Sequence, residues 1–482
     1  MPQPRSSSCR QVEQPDLWRP GRAHLAGIAG AGMRSLARVL LDIGWTLSGS
    51  DPRAESVAEL RDRGVQLFAN HAADNVAETV GLVIFSDAIG PGNPELQRAG
   101  ERKIPTLRYF QALGLLSDAR ETIAVAGTHG KSTVTAMIGA ILRAAGADPT
   151  LVFGAEPVGG DRAGPGGSRL GRGPAMVVEA CEYRANFLHF RPREAVLLGI
   201  EHDHFDCYPT IGQLEHAFGL FARSVRADGR LLVPHACRRS RVAAASAACR
   251  WETFGWEEGA DWRATGIGSR LGRYWFTVER ARRPLCRVDL KVLGRHNVVN
   301  ALAAAAVGLK TGANPAEVAE ALSHWAGLKR RLEVVGQAGG VTWVDDYAHH
   351  PTEIAAALRA VREAFPERRV FCLFEPHQAS RTARTLDEMA ASLQNADVTL
   401  ITEIFRAREP LPTNGEVTAA DLARSVRALG AEVPPIHGAD KCAEHLAHRL
   451  RPGDVLVTLG AGNIGTTGYE LFERLRKNRP AG

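Results

Sequence analysis

No run of apolar residues in this 482-residue chain approaches the roughly 20 that a membrane-spanning helix needs, so no membrane insertion is expected. The first 22 residues hold Pro, Ser, Arg and Gln without an apolar core. They read as a flexible tail rather than a signal peptide, and the expected location is cytoplasmic. The eight cysteines include no C-x-x-C pair, which argues against a zinc site and a disulfide framework and for free thiols in a reducing compartment. Aromatics are not interleaved with the basic residues. The net charge of +6 comes from 59 Lys and Arg against 53 Asp and Glu, and the arginines from Arg223 to Arg295 are diffuse. They read as solvated surface, compatible with an anionic substrate but not with a nucleic-acid interface. There is no short-period repeat.

What remains is a soluble composition, 45% hydrophobic and 23% charged, on a chain long enough for two to four domains. Three blocks each open on a short apolar strand followed by a glycine turn. The first begins at Ala23–Ile28 and turns at Gly30-Ala31-Gly32. Apolar residues at 36, 39, 40 and 43 then carry the helical period from Met33 to Ile43, and Leu82–Phe85 is a later strand. The second block opens at Thr122–Ala126, with strands at 176–178 and 195–198 and a helix around Asn300–Ala306. Between its strands, Gly159–Gly173 is rich in Gly and Arg and reads as a mobile surface loop. The third opens at Val341–Val344, with strands near Val370–Phe374, Val398–Ile401 and Val455–Thr458. This alternation predicts an α/β protein of three blocks, the first and third Rossmann-like and the central one with a mostly parallel sheet, which the glycine turn at 127–133 makes a P-loop-type ATPase domain. The expected division is a tail at 1–22, then 23–117, 118–329 and 330–482.

Gly127-Thr128-His129-Gly130-Lys131-Ser132-Thr133 follows the strand that opens the second block. The general phosphate-loop pattern G-x-x-x-x-G-K-[ST] places its first glycine where Val125 stands, but the mechanics survive. Gly127 and Gly130 allow a tight turn whose amides point at phosphate oxygens, Lys131 brings a cation, and Ser132 or Thr133 offers a hydroxyl to magnesium. Glycine turns are common between strand and helix, so the lysine carries the signal. Magnesium needs further oxygen ligands. Glu179 ends one predicted strand, and Glu201-His202-Asp203-His204-Phe205-Asp206 follows another in the equivalent place.

These motifs resemble those of the Mur ligases, the ATP-dependent amide-forming enzymes of peptidoglycan assembly, from about Ala23 to Gly468. Gly27–Met33, Gly127–Thr133, Gly294–Ala301, Asp345–Pro351 and Phe374–His377 with Ser380-Arg381-Thr382 carry the resemblance. The nearest branch joins L-alanine to the carboxylate of UDP-N-acetylmuramate, so the resemblance implies those substrates, ATP and Mg2+, and a monomer or homodimer. Gly27, Gly30, Gly32, Met33 and Asp51 would then serve the UDP-sugar. The loop from Gly127 to Thr133, with His296, Asn297 and Asn300, would serve ATP. Thr133, Glu179 and His204 look like metal contacts. Arg331 and Asp346 look like an interdomain pair that closes over nucleotide, and with Lys131, Glu179 and His204 they complete the expected catalytic set. Tyr347, His349, His377 and Arg381 resemble an amino-acid pocket, Arg381 being suited to a carboxylate because its fork binds two oxygens.

The sequence also departs from the family pattern. Glu179-Ala180-Cys181-Glu182-Tyr183-Arg184 stands where Glu-Ala-Asp-Glu-Ser-Asp is usual; the leading glutamate is kept, and the later acidic and hydroxyl positions read as lost. Gln378 replaces an arginine found in some relatives, and no lysine between Glu201 and Asp228 could be carbamylated to bridge metals. Rival expectations are a murein-peptide ligase on the same UDP-sugar and a UDP-sugar-binding relative without catalysis. A nicotinamide oxidoreductase is disfavoured because the first turn is G-x-x-G-x-G rather than G-x-G-x-x-G.

Overall fold

A computed structural model describes residues 15–159, 167–407, 409, 415–435 and 438–477. Two compact units form, Met1–Arg120 and Glu121–Gly482. Residues 1–14 of the expected tail and 160–166 of the expected mobile loop lie outside the described residues. No described helix is long and apolar enough to cross a membrane.

The first unit is a parallel sheet of β1 (Arg22–Ala26), β2 (Thr46–Ser50), β3 (Gln66–Phe68), β4 (Leu82–Phe85) and β5 (Thr106–Arg108), in the order β3-β2-β1-β4-β5. Part of the segment read as a tail is structural. Leu17 is buried, and its carbonyl accepts the Trp45 indole N–H at 2.9 Å. The apolar period predicted from Met33 marks a helix that begins at Ala31 and ends at Ile43, closed by Gly44 in the left-handed region.

Beneath β1, His24 Nε2 lies 3.3 Å from Glu95 Oε1 with both side chains fully buried. Glu95 also accepts from Ser50 Oγ at 2.8 Å and Asn75 Nδ2 at 2.7 Å. Burial opposes its charge, but the bonds from His24, Asn75 and Ser50 outweigh burial and hold its pKa at about 2.

The second unit holds two sheets. The larger comprises β6 (Glu121–Ala126), β7 (Thr150–Val152), β8 (Ser168–Arg169), β9 (Ala175–Glu179), β10 (Glu194–Leu197), β11 (Arg230–Pro234), β12 (Arg250–Gly255), β13 (Trp262–Arg270), β14 (Arg273–Arg280) and β15 (Arg283–Leu293). Its order is β15-β14-β13-β12-β11-β10-β6-β9-β7-β8. Pairing is parallel from β7 through β13, while β13, β14 and β15 form an antiparallel meander. The stretch read as diffuse basic surface thus contains half a sheet. Phe276, Val278, Val288 and Leu290 are buried in the same core as the Ala-rich helix His296–Lys310, while arginines such as Arg273, Arg283 and Arg287 project from the alternate positions.

The third sheet runs β16-β17-β20-β18-β19, from β16 (Glu333–Ala338), β17 (Val341–Asp346), β18 (Val370–Phe374), β19 (Val398–Ile401) and β20 (Val455–Leu459). Only β16 pairs antiparallel. β17, β18, β19 and β20 are buried along their whole length, as strands covered on both faces require, while the edge strand β16 is largely exposed.

Glu95 has a depressed folded pKa, so its stabilisation is present above the unfolded value of 4.5 and is lost as pH falls toward 2. Glu95→Gln is expected to remove up to about 3 kcal/mol at neutral pH and to flatten the stability profile between those limits. Urea unfolding across that pH range measures both.

Candidate active site

The order β10-β6-β9 sets the carboxyl ends of three parallel strands side by side, the usual place for ligands in such sheets. The loop leaving β6 is pinned on both sides. Ala180 N–H donates to the Val125 carbonyl at 2.8 Å, and Thr128 N–H to the Gly199 carbonyl at 2.9 Å. Gly127 has φ +126°, and a Cβ there would meet Leu198 at 2.6 Å; at Gly130, φ is +83° and a Cβ would lie 2.8 Å from Asn300 Oδ1. Both glycines are required by left-handed backbone and by close approach. The helix Lys131–Ala144 then begins, with no acidic residue in its first turn.

Lys131 Nζ donates to the Gly127 carbonyl at 2.6 Å and the Thr128 carbonyl at 3.1 Å. It also pairs with Glu182 Oε2 at 3.0 Å. Burial works against the ammonium, but Glu182 outweighs it and raises the Lys131 pKa. Glu182 is itself held below its ordinary value, against burial, by Lys131 and His204. This residue was read as part of a lost motif; it is the buried counter-ion of the loop lysine. The altered Cys181 beside it hid the retained carboxylate. Its thiol is pushed up to about 12 by burial and by Glu182.

Ser132, not Thr133, shares a site with Glu179. Ser132 Oγ lies 3.0 and 2.9 Å from the two carboxylate oxygens, one of which also accepts Gly154 N–H at 3.1 Å. These hard oxygens suit magnesium. Thr133 is one residue further round the helix, about 100° away, and turns into a neighbouring cleft with His296, Asn297, Asn300, Arg331 and Asp346. His296 lines this cleft while its side chain stays exposed to solvent. Asn297 Nδ2 donates to the Leu293 carbonyl at 2.8 Å, and Asn300 Nδ2 to Asn297 Oδ1 at 3.0 Å. Trp325 also lines this cleft; no local motif marked it.

The acidic run after β10 does not form one cluster. Glu201 meets His129 and accepts the Thr352 hydroxyl at 2.5 Å. Asp203 pairs with Arg381, Asp206 accepts from the Tyr183 hydroxyl at 3.0 Å, and His202 Nε2 lies 2.8 Å from the Tyr208 carbonyl oxygen. His204, at φ +53°, turns to Glu182 at 3.4 Å. Neighbours in sequence are dispersed because this segment is a turn rather than a strand or helix.

Arg331 and Asp346 are near one another, but not as a hydrogen-bonded ion pair. The Asp346 oxygens accept Leu332 N–H at 2.6 Å and Ala348 N–H at 2.7 Å, and Arg331 acts through space. Burial raises the Asp346 pKa to about 7 against that influence. The neighbouring Arg330–Asp345 pair is the closer one, at 3.6 Å.

Tyr347, His349, His377 and Arg381 do come together. The Tyr347 ring lies 5.5 Å from that of His349, which lies 5.4 Å from that of His377. His377 Nδ1 is 2.7 Å from Arg381 Nη1. The Arg381 fork, however, is already engaged: Nε and Nη2 both donate to Asp203 Oδ1, at 3.0 and 2.7 Å. Burial disfavours the Asp203 charge, but Arg381 outweighs it and keeps the carboxyl well below its ordinary range. Glu353, unmarked in sequence, joins the two halves. Its Oε1 meets His129 Nδ1 at 2.9 Å and its Oε2 accepts His349 N–H at 3.3 Å. Burial disfavours a charged His129, yet Glu353 and Glu201 raise its pKa to about 9.

In the first unit, Gly27 and Ile28 N–H donate to the Ser50 carbonyl at 2.8 and 3.1 Å. Asp51 Oδ2 accepts Ala29 N–H at 3.2 Å, closing the turn through the chain's own backbone. A Cβ on Gly32 would meet the Tyr109 ring at 2.7 Å. Gly30 caps the helix, and Met33 is buried within it.

Three family models match in order: Mur ligase family, catalytic domain, at residues 22–121; Mur ligase middle domain at 125–308; and Mur ligase, glutamate ligase domain, at 330–462. The chain is 40% identical to the UDP-N-acetylmuramate–L-alanine ligase of Anaeromyxobacter sp. (strain Fw109-5), covering 94% of this chain and 98% of that one. Identity to the enzyme of the same name from Clostridium novyi (strain NT) is 38%, over 94% and 97%. Among solved structures, the UDP-N-acetylmuramate–alanine ligase of Thermotoga maritima superposes with a TM-score of 0.81 at 26% identity, covering 95% of this chain and all of that one. A murein peptide ligase from Psychrobacter arcticus gives 0.72 at 26% identity, over 96% and 100%.

Removing one partner of a buried ion pair leaves the other charge uncompensated, at a cost of about 3–5 kcal/mol. Glu182→Ala is therefore expected to lower the unfolding free energy by that order, and Glu182→Ala with Lys131→Met by less than Glu182→Ala alone. Denaturant midpoints of the three proteins check the ranking.

Proposed function

The chain belongs to the Mur ligase family, and on that premise we propose that it joins L-alanine to the carboxylate of UDP-N-acetylmuramate, with conversion of ATP to ADP and phosphate, in peptidoglycan precursor synthesis. One observation carries the reading: Glu353 holds His129 of the phosphate loop through one oxygen and the amide of His349, in the amino-acid cluster, through the other. A single carboxylate thus spans the two places where such a ligase must activate an acid and deliver an amine.

The chemistry explains why both are needed. A carboxylate is a poor electrophile, and transfer of the ATP γ-phosphoryl group makes it an acyl phosphate with a good leaving group. Lys131 and the amides around Gly130 stabilise the charge that spreads over the transferring group. Ser132 and Glu179 would hold magnesium, which supplies further charge neutralisation when bound. His204 and Glu182 position the lysine from the other side. The amine then attacks the activated carbonyl from the cluster of Tyr347, His349, His377 and Arg381, where orientation replaces a chance encounter. His296, Asn297 and Asn300 take the adenine side, and Arg331 and Asp346 flank the same cleft. The first glycine turn, Gly27, Gly30, Gly32 and Met33 with Asp51, serves the UDP-sugar at a helix N-terminus. Domain limits at 117/118 and 329/330 belong to this reading, and so does a cytoplasmic setting, since both the UDP-sugar and ATP are cytoplasmic nucleotides.

The second reading, ligation of a preformed peptide to the same sugar, is favoured by the likeness to the Psychrobacter arcticus protein. ADP release is expected only with UDP-N-acetylmuramate and L-alanine together; release with a tripeptide but not alanine selects the second reading. Lys131→Ala should abolish turnover, and normal turnover in that variant overturns the proposal. Ser132→Ala should cost about 10–100-fold in kcat/KM and Thr133→Val less; the reverse ranking would return the metal hydroxyl to Thr133.

A further inference from the structure

We propose that His129, Glu201 and His350 form a second cation site, separate from Ser132 and Glu179, that takes a borderline divalent ion of the zinc, cobalt or nickel class. One ligand atom from each of the three residues lies within 4.8 Å of the other two. His129 Nε2 is 3.3 Å from Glu201 Oε2; His350 Nδ1 is 3.6 Å from the same oxygen and accepts the Thr352 N–H at 3.3 Å, a long capping bond that the ion would replace. Metal–ligand bonds of 2.0–2.2 Å in a tetrahedron place neighbouring ligand atoms about 3.4 Å apart. Both separations therefore match the edge of one coordination shell without rearrangement of the backbone.

A second observation points the same way. Histidine ligands commonly give their other ring nitrogen to a carboxylate, which fixes the tautomer and aims the free lone pair. His129 Nδ1 does this with Glu353 Oε1 at 2.9 Å, leaving Nε2 toward Glu201. Glu201 is fixed in turn: its backbone N–H donates to Thr128 Oγ1 at 3.0 Å, and Oε2 accepts the Thr352 hydroxyl. His350 is the N-cap of the helix Pro351–Ala364 and is buried. The three ligands come from three separate elements, each held independently.

Donor chemistry selects the ion. Two imidazoles and one carboxylate suit zinc, cobalt and nickel, whereas magnesium prefers an all-oxygen shell. Three protein ligands leave a fourth corner for water or another oxygen donor. An ion bound here would tie the phosphate loop to the helix that follows β17.

The test is a cobalt(II) titration of the full chain, stripped with chelator and kept in excess magnesium. One equivalent is expected to develop the visible absorption of a four- or five-coordinate ion without a thiolate charge-transfer band, and zinc should displace it. Glu201→Gln and His350→Asn should each weaken binding at least tenfold; asparagine retains an N-cap, so the helix start is preserved. Glu179→Gln should leave the spectrum and affinity unchanged. Equal affinity in Glu201→Gln and His350→Asn, loss of the signal in Glu179→Gln, or a thiolate band would each overturn the proposal.

Discussion

The position of β6 between β9 and β10 constrains everything built around it. A parallel sheet sends all its carboxyl ends to one edge, so the loop leaving the middle strand must pass between the segments that leave its neighbours. That loop is squeezed against Leu198 and Asn300, with room for backbone but not for side chains at Gly127 and Gly130. The same geometry hands it carboxylates from both flanks: Glu179 and Glu182 from the β9 side, and Glu201 from the β10 side. Lys131 and His129 project to opposite flanks and are balanced there by different partners.

Charge balance inside such a tight space is not optional. Desolvation penalises every ion in it, and an unpaired one costs several kcal/mol. The pairs Lys131–Glu182, His129 between Glu201 and Glu353, and Asp203–Arg381 therefore act as a set of fixed counter-charges. Two of these three connections cross from the larger sheet to the third-sheet elements. The packing of the two sheets and the electrostatics of the loop are consequently the same problem, solved by the same residues.

Much of this was legible from residue order. The apolar runs Leu82–Phe85, Val370–Phe374 and Val398–Ile401 coincide with strands, because strands buried on both faces leave uninterrupted apolar runs. The meander of β13 to β15 was not legible: one face is solvated, so alternate arginines break the apolar run and imitate an irregular surface. At the site, spacing within a motif located the loop and its neighbours but not the direction of each side chain. Ser132 and Thr133 differ only by rotation about a helix, and residues 201–206 only by the twists of a turn. Glu353 and Trp325 were invisible because their importance lies in contacts far along the chain.

The engaged state of Arg381 bears on what the proposed amino-acid cluster can admit. Its guanidinium and Asp203 already satisfy one another in a dry setting, so a simple anion would displace Asp203 and strand it, and a simple cation would strand Arg381. A zwitterion is different. It can slip between the two partners as a neutral dipole, its carboxylate toward the arginine and its ammonium toward the aspartate, leaving no charge without a companion. In the proposed reaction, that exchange would make the closed salt bridge a selectivity filter, turning away singly charged solutes before shape is consulted.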